Sequence, residues 1–303
     1  MHLIIAEKHD AAKRIAQILA GSKPSSQRVA GVDTYRFDDK VVMGLSGHIV
    51  GVDYPPGYNN WQKVDCKSLI RAEIVVRPIQ DKIIAALKTL GKEANRITIA
   101  TDYDREGELI GVEALKIVQE ANPSLRADRV RYRAIVKDEI LKAFKDSGKV
   151  DFDLAASGEA RQIIDLVWGA ALTRYISLTS GRLGKEFLSV GRVQSPTLAL
   201  IVDREREIQS FVPKAYWEIY ADLEKELRVQ HAKGRIWEKG EVDEIIARLG
   251  PVGIVTSIET KPRIDKPPAP FDTTSFIGAA SGIGFSAANA MRLAEWLYTN
   301  GFI

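Results

Sequence analysis

The chain has 303 residues, which is long for a single hydrophobic core and predicts two or three domains. Apolar residues make up 45% of it and charged residues 27%, and no apolar run reaches the roughly 18 residues of a membrane-spanning helix. The amino terminus lacks a secretory signal, and Cys66, the only cysteine, excludes a disulfide framework and a cysteine-based zinc site. We therefore expect a cytoplasmic protein without a membrane partner. The net charge of +3 is too small to indicate a nucleic-acid partner without local basic patches.

Residues 1 to about 150 predict an α/β domain, because short apolar strands alternate with segments of helical spacing. Such alternation is typical of a mostly parallel sheet covered by helices on both faces. The predicted elements are a strand at 2–6, a helix at 11–20, a hairpin of strands at 35–37 and 41–45, a helix at 80–90, a strand at 97–100, a helix at 107–120, a strand at 129–135 and a helix at 137–145.

The pattern changes after Asp151 to a helical region, a β-rich region and a second helical region. The last two helices could form a helix-turn-helix on duplex DNA, but the second of them carries Arg292 as its only basic residue, which weakens that interpretation. The predicted elements are helices at 154–178 and 195–211, a β-rich segment at 216–264 that includes a helix at 241–249, a linker at 265–270 and two helices within 274–299.

A cluster of acidic residues follows the strand at 97–100 directly. Asp102, Asp104 and Glu106 alternate, so in an extended segment their side chains point to the same side. Grouped carboxylate oxygens suit Mg²⁺, and open α/β sheets bind ligands at the carboxyl ends of their strands. The cluster therefore predicts a magnesium site.

Two other interpretations fit the same cluster. The first is a calcium loop of the EF-hand type, although the preceding segment is a strand where an EF-hand has a helix. The second is the solvated first turn of a helix, where the helix dipole favours acids, but this does not explain the alternation. The calcium loop would use Asp102, Asp104, Glu106, Gly107 and Glu113.

Glu7 and Lys8 stand at the carboxyl end of the first strand. If the strands at 2–6 and 97–100 are parallel neighbours, both side chains lie beside the acidic cluster. Neighbouring carboxylates raise the pKa of a carboxylic acid, which can then deliver a proton, and a lysine there can neutralise a phosphate. The alternative is an ordinary surface pair at the start of a helix.

The segments IIAEK and ATDYDREGE together resemble the Toprim domain shared by type IA topoisomerases, primases and some nucleases. Three later stretches occur in the order seen in type IA DNA topoisomerases, and details such as RYRAIVKDEI resemble the archaeal topoisomerase I and topoisomerase III branch. This resemblance covers most of the chain and sets aside the calcium-loop and helix-start interpretations. The three stretches are GEARQIIDLVWGAALTRYISL, LSVGRVQSPTLALIVDREREIQSFVPKAYWEI and PAPFDTTSFIGAASGIGFSAANAMRLAEWLYTNGFI.

The resemblance implies an ATP-independent, Mg²⁺-dependent enzyme that breaks and rejoins single-stranded DNA through a 5′-phosphotyrosine. It would relax negatively supercoiled duplex DNA, and we expect it to act as a monomer at the nucleoid. The implied fold is multidomain: a Toprim α/β domain at 1–150, a helical DNA-groove domain at 151–214, a partial β-rich arch domain at 215–265 and the start of a helical gate domain at 266–303.

The same resemblance implies roles for individual residues. Glu7 would protonate the leaving 3′-oxygen, and Lys8 would stabilise negative charge on the scissile phosphate. The implied metal ligands are Asp102, Asp104 and Glu106. The implied DNA-binding residues are Arg161, Arg192, Gln194 and Ser195.

Two of these DNA-binding segments also carry local signals. Ser195 is a favourable N-cap for the helix that follows, and Arg192 and Gln194 precede its N-terminus, whose free N–H groups attract phosphate. Arg161 and Asp165 are four residues apart and predict an ion pair on one helix face. The resemblance adds that this helix lines the groove for single-stranded DNA.

Three further features leave alternatives open. Arg129, Arg131 and Arg133 alternate on a predicted strand, where they would either contact phosphates or form a solvated face. Trp168 could stack on a base, but its apolar neighbours favour a place in the core. His48 is expected to be a hydrogen-bonded core histidine.

The nucleophilic tyrosine is not expected among these residues. In type IA topoisomerases a segment like LYTNGFI leads into a serine or threonine and then the tyrosine, which would fall two positions after Ile303. Tyr298 is expected to serve packing. We therefore expect a fragment that binds single-stranded DNA without cleaving it. A Toprim-type metal-dependent nuclease and a DNA-binding fragment without catalysis are the alternative functions.

Overall fold

The computed structural model describes residues 1–303, apart from the side chain of Lys225, and the chain divides into two compact units. The first unit comprises Met1–Ser195 and Phe271–Ile303, and the second comprises Pro196–Pro270. The finer division into four domains stays a prediction. No helix in the described part of the chain is both long and apolar enough to cross a membrane.

The strands are β1 (His2–Ala6), β2 (Ser25–Val29), β3 (Val32–Phe37), β4 (Lys40–Gly44), β5 (Val50–Asp53), β6 (Val75–Pro78), β7 (Arg96–Ala100), β8 (Ala127–Arg129), β9 (Gly148–Lys149), β10 (Tyr220–Asp222) and β11 (Arg228–Gln230). Seven of them form the main sheet of the first unit in the order β2-β3-β4-β1-β7-β8-β9. Its four central strands are parallel, whereas the pairs toward both edges are antiparallel. Strands β5 and β6 form a separate antiparallel pair.

The helices are α1 (His9–Ala20), α2 (Asp81–Glu93), α3 (Arg105–Ala121), α4 (Lys137–Lys145), α5 (Phe152–Thr179), α6 (Gln194–Ser210), α7 (Lys239–Ala247), α8 (Thr273–Gly282) and α9 (Ala287–Thr299). Helices cover both faces of the main sheet, as the sequence predicts. Leu3 and Ile5 of β1 belong to a core with α2 and α3, whereas Ile4 and Ala6 belong to a second core with α1 and α4. A central strand with both faces buried is apolar at every position, which explains the unbroken run LIIA.

The predicted strand at 129–135 is wrong beyond its first residue, because β8 ends at Arg129. Val130 still donates a backbone hydrogen bond to the carbonyl of Ile99 (3.0 Å), and the chain then leaves the sheet. Tyr132 and Ile135 are buried in the core beneath α1 and α4. The apolar alternation in this segment therefore reflects packing against helices, not pairing with a neighbouring strand.

The second unit contains less sheet than its composition predicts. Its regular strands are the short hairpin of β10 and β11, and a single bridge joins Trp217 to Ile236. Helix α7 lies two residues earlier than the helix predicted at 241–249. Helix α6 begins at Gln194, so Ser195 lies inside the helix and is not the predicted N-cap.

Candidate active site at the carboxyl edge of the sheet

The sheet brings Glu7 and Asp102 together. β1 and β7 are parallel neighbours in a register that pairs Ala6 with Ala100, so both chains leave the sheet at the same edge. The backbone N–H of Asp102 donates a hydrogen bond of 3.2 Å to Oε2 of Glu7. The predicted adjacency of Glu7 to the acidic segment is therefore confirmed.

A buried arginine holds the acidic segment from beneath. Arg129 forms an ion pair of 2.8 Å with Glu108, and both side chains are fully buried. Its guanidinium also donates to the carbonyl oxygens of Thr101 and Asp102, each at 2.7 Å. Arg129 is therefore not available to phosphates. The interpretation that all three alternating arginines contact a phosphate backbone is wrong for this residue. Arg129 instead fixes the backbone on which Asp102 stands.

Asp104 and Gly107 shape the start of α3. Asp104 is the N-cap of the helix, and its Oδ1 accepts a hydrogen bond of 2.7 Å from the N–H of Gly107. A Cβ at position 107 would lie 2.2 Å from the carbonyl oxygen of Asp102, so only glycine allows this close approach. The helix consequently begins within contact distance of the acidic segment, and one oxygen of Asp104 is already in use.

Burial and neighbouring carboxylates raise the pKa of two acids at this edge, Glu7 and Asp102. Burial raises the pKa of Glu7, and the negative charges of Asp102 and Asp104 raise it further. Burial likewise raises the pKa of Asp102, with the charge of Asp104 adding to it and that of Lys8 opposing it. A protonated Glu7 can donate a proton, and a cation bound among these groups would relieve their repulsion.

The acidic side chains at the sheet edge have the donor atoms that Mg²⁺ prefers. Among the described residues, no three histidine, cysteine or acidic side chains already converge as ligands of an ion. Glu7, Asp102 and Asp104 nevertheless supply the hard oxygen atoms and the excess negative charge that Mg²⁺ prefers. Burial and nearby carboxylates raise the pKa of Glu7 and of Asp102, and a cation bound between them would favour their charged forms. The residues therefore fit the ion in chemistry, although they would have to close on it.

Glu106 is engaged differently from the other two predicted ligands. One of its oxygens lies 3.1 Å from Nη1 of Arg161, and the other lies 3.2 Å from Nε2 of His48. His48 also contacts Glu113 (3.0 Å), and these two carboxylates, Glu113 before Glu106, raise the pKa of the half-buried imidazole. Glu106 thus links the sheet edge to α5, and its role as a metal ligand stays a prediction.

Two of the predicted DNA-binding residues, Arg161 and Arg192, share the carboxylate of Asp165. Asp165 accepts from Nε of Arg192 at 2.6 Å, and Nε of Arg161 lies 3.8 Å from the same carboxylate. The predicted ion pair of Arg161 and Asp165 is present, but Arg192 is the nearer partner. Oε1 of Gln194 accepts a long hydrogen bond of 3.4 Å from Ser189. Ser195 Oγ accepts from the N–H of Gly191, also at 3.4 Å.

Trp168 was expected in the core, but it lies at the surface. Its side chain is 47% exposed. It follows Arg161 by seven residues and Asp165 by three on α5, a spacing that places all three on one helix face. The ring is therefore available on that face for stacking.

A cleft of about 660 Å³ lies between the sheet edge and α9. On its wall, Nζ of Lys8 lies 2.6 Å from Oε1 of Glu295. Tyr298 is half-buried there, and burial followed by the charges of Asp102 and Glu7 raises its pKa to about 12. The contacts of Glu295 with Lys8 and of Glu113 with His48 were not predicted, since nothing in the local sequence indicates a partner distant along the chain.

Two family models match the chain. The Toprim domain matches residues 2–135, and the DNA topoisomerase family matches residues 149–303. DNA topoisomerase 1 of Archaeoglobus fulgidus is 48% identical over 99% of this chain, and that of Thermoplasma acidophilum is 44% identical over 99% of it. Full-length topoisomerase I of Thermotoga maritima has a similar structure, with a TM-score of 0.71 and 29% identity over 98% of this chain.

The Toprim domain at 2–135 and the topoisomerase region at 149–303 together define the class of the protein. The chain belongs to the DNA topoisomerase family, in its type IA branch. It spans 45% of the length of the Archaeoglobus relative, 40% of the Thermoplasma relative and 46% of the Thermotoga chain.

Proposed function

We propose that the protein of which these residues are part breaks and rejoins single-stranded DNA without ATP, through a 5′-phosphotyrosine, and so relaxes negative supercoils. The observation that carries this proposal is the grouping of Glu7, Lys8 and Asp102 at one sheet edge in a chain of the topoisomerase family. The proposal extends to a monomer that acts in the cytoplasm on nucleoid DNA.

In the cleavage step, a tyrosine hydroxyl loses its proton to solvent and its oxygen attacks phosphorus, so that a new phosphorus–oxygen bond forms while the bond to the 3′-oxygen breaks. Glu7 is the group proposed to protonate the leaving 3′-oxygen, since burial and the charges of Asp102 and Asp104 raise its pKa and so favour its protonated form. Rejoining is the reverse, with Glu7 accepting the proton. The phosphotyrosine conserves the energy of the broken bond, so no nucleotide hydrolysis is needed.

Lys8 is proposed to hold a non-bridging oxygen of the scissile phosphate. Its ammonium is half-exposed in the cleft, and it would exchange Glu295 for the phosphate when DNA enters. Asp102 and Asp104, with Glu7 beside them, are the residues that would hold Mg²⁺; Glu106 would join them on release from Arg161. A bound Mg²⁺ supplies electrostatic stabilisation of the phosphate oxygens.

The backbone of the single strand is proposed to bind near α5 and the start of α6, at Arg161, Arg192, Gln194 and Ser195. The support is that Arg161 pairs with Glu106 near the sheet edge and shares Asp165 with Arg192, which Gln194 and Ser195 follow in sequence. Trp168 is proposed to stack on a base on the face of α5 that also carries Arg161.

The 303 residues alone are proposed to bind single-stranded DNA without cleaving it. Tyr298 lines the cleft together with Glu7 and Asp102, but a phenol whose pKa is raised to about 12 keeps its proton and is a poor nucleophile. The test is to incubate a labelled oligonucleotide with this chain and with the longer enzyme, and to separate the products under denaturing conditions.

A labelled strand linked covalently to protein is expected from the longer enzyme only. Nicked DNA without a covalent adduct would support the metal-dependent nuclease instead. A covalent adduct with the 303-residue chain would show that one of its own tyrosines is the nucleophile.

A further inference from the structure

A second cavity, of about 530 Å³, lies where the chain leaves β8, against α4 and β9. We propose that it binds the phosphodiester backbone of a DNA strand and that Tyr103 stacks on one of its bases. This inference rests on the proposed function, because it extends the path of the same strand. We call the site the basic cavity; its lining includes Arg131, Arg133, Lys142, Gly148, Glu139 and Asp146.

Three exposed cations at the basic cavity have no carboxylate partner. Within the part of the chain whose side chains are described, Arg131, Arg133 and Lys142 form no ion pair, although many surface cations of the first unit do. The acids that line the cavity are fewer. One of them, Glu139, accepts a hydrogen bond of 3.3 Å from the backbone N–H of Arg133. The cavity therefore keeps an excess of positive charge that an anion can neutralise.

The backbone of β9 gives Arg131 a defined position. Its Nη2 donates to the carbonyl of Lys149 at 3.0 Å, which leaves the other guanidinium N–H groups free for a ligand. A Cβ at position 148 would lie 3.0 Å from Nη1 of Arg131, so Gly148 provides the space that the guanidinium occupies. An arginine held in this way is partly ordered before a phosphate binds.

Tyr103 connects the basic cavity to the acidic segment. It stands between Asp102 and Asp104 in sequence, and its side chain is 58% exposed. The guanidinium of Arg131 lies over its ring, 5.3 Å from the ring centre. An exposed aromatic ring beside arginines is a surface on which a nucleobase stacks while the cations contact its phosphates.

The chemistry favours a single strand over a free anion or a duplex. Inorganic phosphate would use the cations but not the ring. In a duplex the bases are stacked on one another and are not available to Tyr103. The expected ligand is a single-stranded segment with one base on Tyr103 and its neighbouring phosphates at Arg133 and Lys142.

The test compares the 303-residue chain with its Arg133→Gln/Lys142→Gln variant in titrations of a fluorescent oligothymidylate of about 20 nucleotides over a range of salt. Loss of two phosphate contacts should lower the salt dependence by about 1.4 and the affinity at low salt by about tenfold. The matched control is Arg28→Gln/Lys40→Gln, which removes the same charge at residues that are paired with Asp33 and Asp39. Circular dichroism checks that every variant is folded.

A second readout locates the base directly. An oligonucleotide that carries 5-iodouracil should photocrosslink to the peptide containing Tyr103, and the crosslink should be lost in the cavity variant but not in the control. If the wild type binds the oligonucleotide and the cavity variant behaves like the control in both assays, the inference is overturned and the proposed function stands. If the wild type shows no salt-dependent binding at all, the proposed function itself fails.

Discussion

The ammonium of Lys8 lies 2.6 Å from the carboxylate of Glu295, 287 residues further along the chain. This ion pair occupies the group that is proposed to hold the scissile phosphate. It joins Lys8, the N-cap residue of α1, to α9 in the cleft that DNA would enter. A phosphate therefore has to compete with Glu295 for Lys8.

Glu295→Gln should strengthen binding of a single-stranded oligonucleotide to this chain. The variant removes both a competitor for Lys8 and a negative charge from the cleft. Since an exposed ion pair contributes at most about 1 kcal/mol, the gain should be about two- to fivefold at low salt. Fluorescence anisotropy titrations measure it.

The matched control is Glu295→Gln in a Lys8→Gln background. Without the ammonium the gain should largely disappear, because little then remains for Glu295 to mask. An equal gain in both backgrounds would mean that Glu295 acts by general repulsion and not through Lys8.

Arg129→Ala should lower the free energy of unfolding by about 3–5 kcal/mol, because it leaves the buried carboxylate of Glu108 without its partner. Chemical denaturation followed by circular dichroism measures the loss. The double variant Arg129→Met/Glu108→Leu should lose less than the single variant, since it removes both buried charges. A single variant as stable as the wild type would contradict the placement of this pair.

Glu7→Gln should raise stability at neutral pH. Because its pKa is raised in the folded state, Glu7 binds more protons there than in the unfolded chain, so its contribution to stability falls as pH rises through its ordinary range. Removing the carboxylate removes that penalty. The difference in melting temperature between variant and wild type should vanish at acidic pH, where Glu7 is protonated in both states. A gain independent of pH would show that the effect is not electrostatic.

Arg192→Gln should weaken binding of single-stranded DNA and lower its salt dependence by about 0.7, the value for one phosphate contact on a single strand. Arg28→Gln is the control, since Arg28 is also an exposed arginine in a carboxylate pair, at the edge strand β2. The same loss in both variants would indicate that net charge, and not the position of Arg192, determines affinity.

The sequence predicts that Glu7 and Asp102 lie close together, because parallel strands end at a common edge of the sheet. The unbroken apolar pattern of the two strands is enough to identify both of them. It also predicts the helices of the first unit to within a few residues. Local patterns suffice there, because apolar spacing is set by the face that each helix buries.

The sequence does not predict what Arg129 does. Its alternation with Arg131 and Arg133 is typical of a strand face, but the chain leaves the sheet after Arg129, and only the three-dimensional structure shows the buried partner Glu108. Glu295 was missed for a related reason. Nothing in the local sequence distinguishes Glu295 from other surface glutamates on helices, and only the fold places it against Lys8.

The two proposed metal ligands Asp102 and Glu106 have different surroundings. Asp102 is half-buried among like charges, whereas Glu106 is bound by His48 and Arg161. Glu106→Gln should therefore raise the Mg²⁺ concentration needed for half-maximal relaxation less than Asp102→Asn does. Titration of the relaxation rate of the longer enzyme with Mg²⁺ compares the two variants, and equal shifts would place Glu106 among the ligands from the outset.

The most direct test of the account is relaxation of negatively supercoiled plasmid by the longer enzyme that contains these residues, with Asp102 and Asp104 both replaced by Ala. We predict that the wild type relaxes the plasmid only when Mg²⁺ is present and that the double variant does not relax it at any Mg²⁺ concentration, although it still binds single-stranded DNA. Relaxation by the double variant at the wild-type rate would contradict the assignment of the metal site to this edge of the sheet.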